Sequence, residues 1–269
     1  MRTLPHWLSR LNGVRFRPRF DIVVVIPARN EEERIEACLR SVLIASERVT
    51  GIARRIAIIV VADSCTDQTV GVARATLGSR PYSAVVTCDF ENVARTRAHG
   101  VAVGRSVLET DRPSRTWLAN TDADTTVPPN WLRLHLDAAR RNVHAIAGIV
   151  EVHSFDGLPA AARQYFRNTY TATLPVDGDH THVHAANLGV RLDAYNHAGG
   201  WGSLPRSEDR DLWTRLRRSG ARIESPTSLR VVTSGRGVGR VPGGFAECLR
   251  QQVYAWEHRD VEIETGIST

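Results

Sequence analysis

The residues best suited to chemistry are two carboxylates one residue apart, in Thr121-Asp122-Ala123-Asp124. They follow Trp117-Leu118-Ala119-Asn120, an apolar run that reads as a buried strand. Two like charges so close repel each other, and burying them is costly unless something positive neutralises them. A divalent cation is a plausible neutraliser, because hard cations take oxygen ligands. Such a cation could hold a diphosphate at the carboxyl edge of an open α/β sheet, where these sheets bind ligands. Alone the pair is a weak signal, since a surface turn before Pro128-Pro129 accounts for it equally well.

The elements that would position the pair are legible upstream. Asp21 to Pro27 contains Ile22-Val23-Val24-Val25-Ile26, the pattern of a strand buried on both faces. Asn30 then reads as a helix cap with Glu33 as capping partner. The helix that follows carries Ile35, Leu39, Val42 and Leu43 at helical spacing. Ile56 to Val61 reads as a second strand, and Thr66-Asp67 as the start of a second helix. Ala84 to Cys88 is a third strand, Asn92 to Leu108 a third helix and Thr116 to Thr121 a fourth strand. Pro128-Pro129 suits the first turn of a further helix. Alternation with short links predicts a parallel sheet with right-handed crossovers.

The second half is less regular. Val143 to Val152 and His182 to Val190 read as strands. Pro159 to Thr171, Glu208 to Ser219 and Phe245 to His258 read as helices, the second stopping at Gly220. The expected organisation is a basic leader (1–20), a ligand-binding half (21–125) and a second half with a C-terminal helix (126–269), the two halves forming one compact unit.

Composition narrows the chemistry. The 269 residues are 42% hydrophobic and 24% charged, an ordinary globular balance. No lysine occurs, so all 35 basic residues are arginine. That excludes a Schiff-base lysine and a phosphate-loop lysine. The formal charge of +6 suits an anionic ligand such as a nucleotide. Scattered arginines interleaved with acids disfavour nucleic-acid binding. Cys38, Cys65, Cys88 and Cys248 form no Cys-x-x-Cys and read as reduced thiols, an expectation of a cytoplasmic protein. No apolar run is long enough to span a bilayer. The leader lacks the apolar segment of a secretory signal, yet its arginines with Trp7, Leu8, Leu11 and Phe16 leave weak contact with an acidic membrane surface open.

Four polar clusters fall at the carboxyl ends of successive expected strands: Pro27 to Glu31, Ala62 to Asp67, Asp89 to Arg97, and Thr121 to Asp124. The first strand is followed by no Gly-x-Gly-x-x-Gly, which disfavours a dinucleotide-binding domain. Val-Val-Ile-Pro-Ala-Arg-Asn-Glu-Glu (24–32), Val-Val-Ala-Asp-Ser-Cys-Thr-Asp-Gln-Thr (60–69) and Ala-Arg-Thr-Arg-Ala-His-Gly (94–100) then precede the Asp122–Asp124 pair. Ala-Asn-Leu-Gly-Val-Arg (186–191), Ala-Gly-Gly-Trp (198–201) and Glu-Asp-Arg-Asp-Leu (208–212) follow it. In this order and spacing the sequence resembles glycosyltransferase family 2, over roughly residues 20 to 235. The resemblance implies an α/β fold: a single GT-A-type domain whose central, mostly parallel sheet is flanked by helices.

It also implies a metal-dependent, inverting transfer of a sugar from a nucleotide-diphospho-sugar, UDP-sugar favoured, to an acceptor hydroxyl. Pro27, Ala28, Asn30 and Glu31 would border the nucleoside. Asp63 would accept from the base, a sound match because a carboxylate accepts well from an imide N–H. Arg97 would approach the diphosphate or order the crevice, Asp122 would meet ribose or metal, and Asp124 would bind Mn2+ or Mg2+. Asp209 would be the general base, with Glu208 the alternative. His184, Asn187, Gly200 and Trp201 would face the acceptor, with Trp201 equally readable as core. His180, His182 and His184 alternate, so on a strand all three would share one face. Some relatives add a C-terminal histidine ligand; here Val231 to Arg236 holds none, and Arg236 could approach the diphosphate instead. Two rival readings are a non-catalytic nucleotide- or carbohydrate-binding relative and a sugar nucleotidyltransferase. The second would want a glycine-rich loop where Pro27-Ala28-Arg29-Asn30-Glu31-Glu32 stands. The acceptor and the sugar are not specified.

Overall fold

The fold follows from where the apolar runs can pair. In the computed structural model, which describes residues 19–152, 164, 168–175, 178–204 and 206–235, one seven-stranded sheet organises the chain. Its first strands are β1 (Asp21–Ala28), β2 (Arg55–Asp63), β3 (Ser83–Cys88) and β4 (Thr116–Asn120). A short β5 (Thr125–Thr126) lies outside this sheet, which is completed by β6 (Ala145–Ala147), β8 (Leu188–Arg191) and β9 (Ile223–Glu224). The order is β3-β2-β1-β4-β8-β6-β9. β1 runs parallel to both β2 and β4, and β2 parallel to β3. β8 is antiparallel to β4 and β6. β1 is buried on both faces as its uninterrupted apolar run requires. The expected mixed α/β sheet with helical cover is the one observed, and the sheet runs unbroken from β4 into β8, across the boundary near residue 125.

The helices are α1 (Ile35–Glu47), α2 (Thr69–Leu77), α3 (Val93–Leu108), α4 (Trp131–Arg140), α5 (Leu192–His197) and α6 (Glu208–Arg218). Among the described residues no helix is long and apolar enough to cross a membrane. α3 packs directly on the sheet. A Cβ built on Gly104 would stand 2.2 Å from Val23 Cγ1, and one on Gly100 2.6 Å from Val25 Cγ1. Two glycines one helical turn apart therefore seat α3 against β1 and β2.

Several boundaries differ from expectation. Asn30 does not cap α1, which begins at Ile35 behind a turn over Glu32–Arg34. Asn30 instead takes φ +52° and its Oδ1 accepts from Thr66 N at 2.7 Å, stitching the loop after β1 to the loop after β2. The second helix begins at Thr69 rather than Thr66, because Asp67 Oδ1 turns back to accept from Thr69 N. The run 143–152 is two strands, broken at Gly148. There the chain leaves the large sheet and β7 (Ile149–Val152) joins β5 and β10 (Arg230–Thr233) in a second sheet of order β5-β10-β7. A Cβ at Gly148 would meet Asn187 Nδ2 at 2.2 Å and Leu229 O at 2.3 Å, so only glycine fits the crossing. The expected strand 182–190 shortens to β8, preceded by a 3-10 turn over Ala185–Asn187. Residues 164 and 168–172 are helical. The rest of the helix expected over 159–171, the helix expected over 245–258, Cys248 and the leader lie outside the described residues.

Beneath the sheet a buried histidine supports it. Trp117 Nε1 donates to His135 Nδ1 at 3.0 Å, which requires that nitrogen to be unprotonated. Burial pushes the His135 imidazole down to about 3 from an ordinary 6.5. The unfolded chain therefore binds this proton first on acidification. Stability present above pH 6.5 is lost as pH falls through that window toward 3, by about 1.4 kcal/mol per unit within it. In urea unfolding, His135→Gln should lose that share of the acid slope. Separately, Gly104→Val should destabilise by about 1–3 kcal/mol, because the side chain must displace Val23 or lift α3.

Candidate active site

Parallel pairing of β1 to β4 brings the ends of these strands to one edge, where Ala28, Asp63, Cys88 and Asn120 stop. β8 enters at the same edge, since Leu188 pairs with Asn120. The turn carrying His184 to Asn187 is thus delivered beside Asp122 and Asp124.

On the β1 side the loops interlock. Glu31 N donates to Thr69 Oγ1 at 2.7 Å, Glu32 N to Asp67 Oδ2 at 3.1 Å and Gln68 N to Glu32 Oε2 at 2.8 Å. Pro27 is partly exposed, and the Ala28 carbonyl accepts from the Cys65 thiol. Arg29 crosses to Glu91 at 2.8 Å, joining the loops after β1 and β3. Asp63 is buried beneath them. Its carboxylate accepts from Glu91 N at 3.0 Å, Asn92 N at 3.3 Å, Thr96 Oγ1 at 2.7 Å and Ser64 Oγ at 3.2 Å. Burial pushes its pKa up, but these four donors outweigh that and hold it below the usual carboxylate range. Asp63 thus organises the start of α3, and a base N–H would have to displace one of those donors. Thr96 and Asn92 were not singled out from sequence; the helix cap at Asn92, which accepts from Arg95 N at 3.0 Å, was the available signal.

At the centre sits Arg97, 2% exposed. Its guanidinium meets Asp122 Oδ1, approaches Glu208 Oε1 at 4.0 Å, and lies over the Trp201 ring with Cζ 5.6 Å from the centroid. Nε and Nη1 are buried without a hydrogen bond. The carboxylate pair is therefore neutralised in part by an arginine of the same chain. Burial nevertheless raises the Asp122 pKa, with Asp124 and Asp209 adding to it against Arg97. Glu208, 12% exposed, is raised too, by burial first and by Asp209 and Asp122, with Arg97 opposing.

Asp124 is tied to the second sheet. Its Oδ1 accepts from Thr233 Oγ1 at 3.3 Å and from Thr125 Oγ1 at 3.4 Å, and its carbonyl from Ser234 N at 3.3 Å. From below, the Cys38 thiol donates to the Asp122 carbonyl at 3.2 Å. Burial, with Asp124, Asp122 and Glu31 close by, pushes that thiol well above its ordinary range, so Cys38 stays protonated and keeps donating. The oxygens around Asp122 and Asp124 form a hard donor set suited to Mg2+ or Mn2+. Among the described residues no cluster of three His, Cys, Asp or Glu side chains converges on one metal position. A cation here would complete its shell with ligand oxygens, as Mg2+ does when one or two carboxylates share it with substrate phosphates.

On the second half, Asp209 Oδ2 accepts from Ala185 N at 3.1 Å, which fixes the first turn of α6 against the 3-10 turn. Asn187 proves to be structural. It is buried, its Nδ2 donates to Ile149 O and Leu229 O at 2.9 and 3.0 Å, and its Oδ1 accepts from Trp131 Nε1 at 3.0 Å. No polar atom of its side chain is left for an acceptor. Gly200, at φ +69°, packs against Tyr195, where a Cβ would come within 2.9 Å of Cζ. Trp201 is buried over Arg97, so it is at once core and lining of the crevice. Arg236 lies outside the described residues. His180, His182 and His184 are not on a strand, yet their rings do gather, with successive centroids 5.9 Å apart.

The fold has counterparts among solved structures. No curated protein matches the chain. Among solved structures, residues 1–349 of TarS from S. aureus, in complex with UDP-GlcNAc, superpose with a TM-score of 0.59 at 12% identity, over 84% of this chain and 61% of that one. A mannosyltransferase from Pyrobaculum calidifontis, PcManGT, in complex with GDP-Man and Mn2+, gives a TM-score of 0.59 at 18% identity, over 91% and 65%. The chain thus spans about three fifths of the length of these structures, and the likeness is one of fold. The model of glycosyl transferase family 2 matches residues 23–199, well over half the chain, and the protein belongs to that family.

Proposed function

We propose that the protein transfers a sugar from a nucleotide-diphospho-sugar, UDP-sugar favoured, to an acceptor hydroxyl, with inversion at the anomeric carbon and with a divalent cation. The observation that carries this is the meeting at one sheet edge of the interlocked loops after β1, β2 and β3, the Asp122–Asp124 pair and the Glu208–Asp209 pair, joined through Arg97. Bound structures of similar fold, with UDP-GlcNAc or with GDP-Man and Mn2+, support the donor class.

In this reading Pro27, Ala28, Asn30 and Glu31 wall the nucleoside, and Asp63 presents the base-side carboxylate. Asp124, with Asp122, would hold Mn2+ or Mg2+, which when bound offsets the diphosphate charge and stabilises it as a leaving group. Arg97 pairs with Asp122 and opposes the upward push of burial on its pKa, and its Nε and Nη1 are buried without a hydrogen bond. The acceptor hydroxyl comes from the side of His184 and Trp201, opposite the leaving diphosphate, and loses its proton as it attacks. Asp209 is the assigned general base, held by Ala185 N. Glu208 is the second reading, favoured by its burial beside Arg97 and its raised pKa, since a base works best when its pKa approaches the working pH.

Two measurements test this. In titrations of UDP with and without Mn2+, wild type should bind in a metal-dependent way and Asp124→Ala should lose that dependence. Absence of UDP binding in the presence of metal would move the assignment to a non-catalytic relative. Of Asp209→Asn and Glu208→Gln, the base variant should lower kcat by about 10²–10⁴-fold with little change in donor binding. If Glu208 is the base, kcat falls as pH drops through a value above the ordinary glutamate range, and that limb disappears in Glu208→Gln.

A further inference from the structure

The outer face of α6 carries a row of arginines that the transfer site does not use. Leu212, Trp213 and Leu216 of this helix are buried in the core layer that also holds Val25 and Leu188. Arg210, Thr214, Arg217 and Arg218 fall on the other side, within an arc of about 100°, given 3.6 residues per turn. All four are exposed. Arg206 and Ser207, also exposed, lead into the helix, and Leu204 before them is an apolar side chain 46% exposed.

The acids of α6 are turned away from this face. Glu208 points to Arg97, Asp209 accepts from Ala185 N, and Asp211 holds Arg215 at 2.7 Å. Among the described residues, no guanidinium of Arg206, Arg210, Arg217 or Arg218 is in a hydrogen bond or an ion pair. Other helix surfaces balance such charges: Arg40 meets Glu36 on α1 and Arg133 meets Asp137 on α4, each four residues away. Just beyond α6, Arg222 and Arg141 share Glu224. Unpaired like charges held on one ridge repel, and an apposed anionic surface relieves that repulsion. Shape selects the kind of surface. A chain-like polyanion is gripped in a groove with aromatic rings to stack on, whereas this ridge is convex and its exposed residues include no aromatic. A flat anionic surface can meet a basic helix along its length, with an apolar side chain entering the layer beneath the charges.

We propose that this face of α6 docks on an anionic membrane surface, with Arg206, Arg210, Arg217 and Arg218 against lipid headgroup charges and Leu204 at the edge of the acyl layer. The helix, about 16 Å long at 1.5 Å per residue, opens at Glu208 and Asp209. Docking therefore brings the acceptor side of the crevice to the membrane. The contact itself is electrostatic and does not depend on the transfer chemistry.

The test is co-sedimentation of the full chain with vesicles of phosphatidylcholine alone, or with about a third phosphatidylglycerol, at low and at raised salt. Binding should require the anionic lipid and fall with salt, because exposed charges are screened beyond about 10 Å in 0.1 M salt. Arg210→Gln and Arg217→Gln should each weaken binding about fivefold, and Arg217→Gln with Arg218→Gln together about 25-fold. Arg217→Lys, which keeps the charge, should bind as wild type does. Circular dichroism and urea midpoints should match wild type throughout, since none of these side chains is buried. Binding to anionic vesicles that survives the double variant belongs to another part of the chain, such as the arginine-rich leader, and overturns the proposal. So does equal binding to neutral vesicles, no binding to either, or capture of a soluble polyphosphate in place of vesicles. The vesicle assay needs no nucleotide, so failure to bind UDP counts against the donor assignment alone.

Discussion

The structure depends on one buried cation, Arg97. A guanidinium 2% exposed would be untenable without anions, and the carboxylates at this edge would repel one another without it. It meets Asp122 from the first half and Glu208 from the second, so the two halves are tied by charge at the place where the crevice forms. Its position is set by packing. Gly100 and Gly104 let α3 sink onto Val25 and Val23, and Arg97 lies one turn before Gly100 on that helix. Trp201 covers the guanidinium from the other side, which excludes water and strengthens both ion pairs.

Around that centre the loops are held by bonds between elements rather than within them. Asp63 gathers four donors that begin α3 or precede it, and Asn30, Glu31 and Glu32 lock onto residues 66–69. Cys38 and Thr233 clamp the Asp122–Asp124 turn from α1 and β10. A site built in this way is preformed before any ligand arrives, which lowers the ordering cost of binding.

The second half uses one amide to change sheets. Asn187 fills the space that Gly148 leaves open and bridges β7, the residue before β10, and α4 through Ile149, Leu229 and Trp131. This is why a residue placed on the acceptor side by its sequence neighbours turns out to be saturated. The adjoining Ala185 N, by contrast, is turned outward to Asp209.

The sequence by itself determined the parallel core and its edge. Runs such as Ile22–Ile26 allow little but a doubly buried strand, and strand–helix alternation then places Asp63 and Asp122 at strand ends. Fold class, family and the main acidic positions were legible for that reason. The partners were not. That Arg97 neutralises Asp122 and that Asp63 spends its lone pairs on the start of α3 depend on residues far apart in the chain. Local spacing encodes periodicity and caps. Charge pairing across 25 residues, or a strand that breaks at Gly148 to change sheets, is decided only when the tertiary packing brings those groups within a few ångströms.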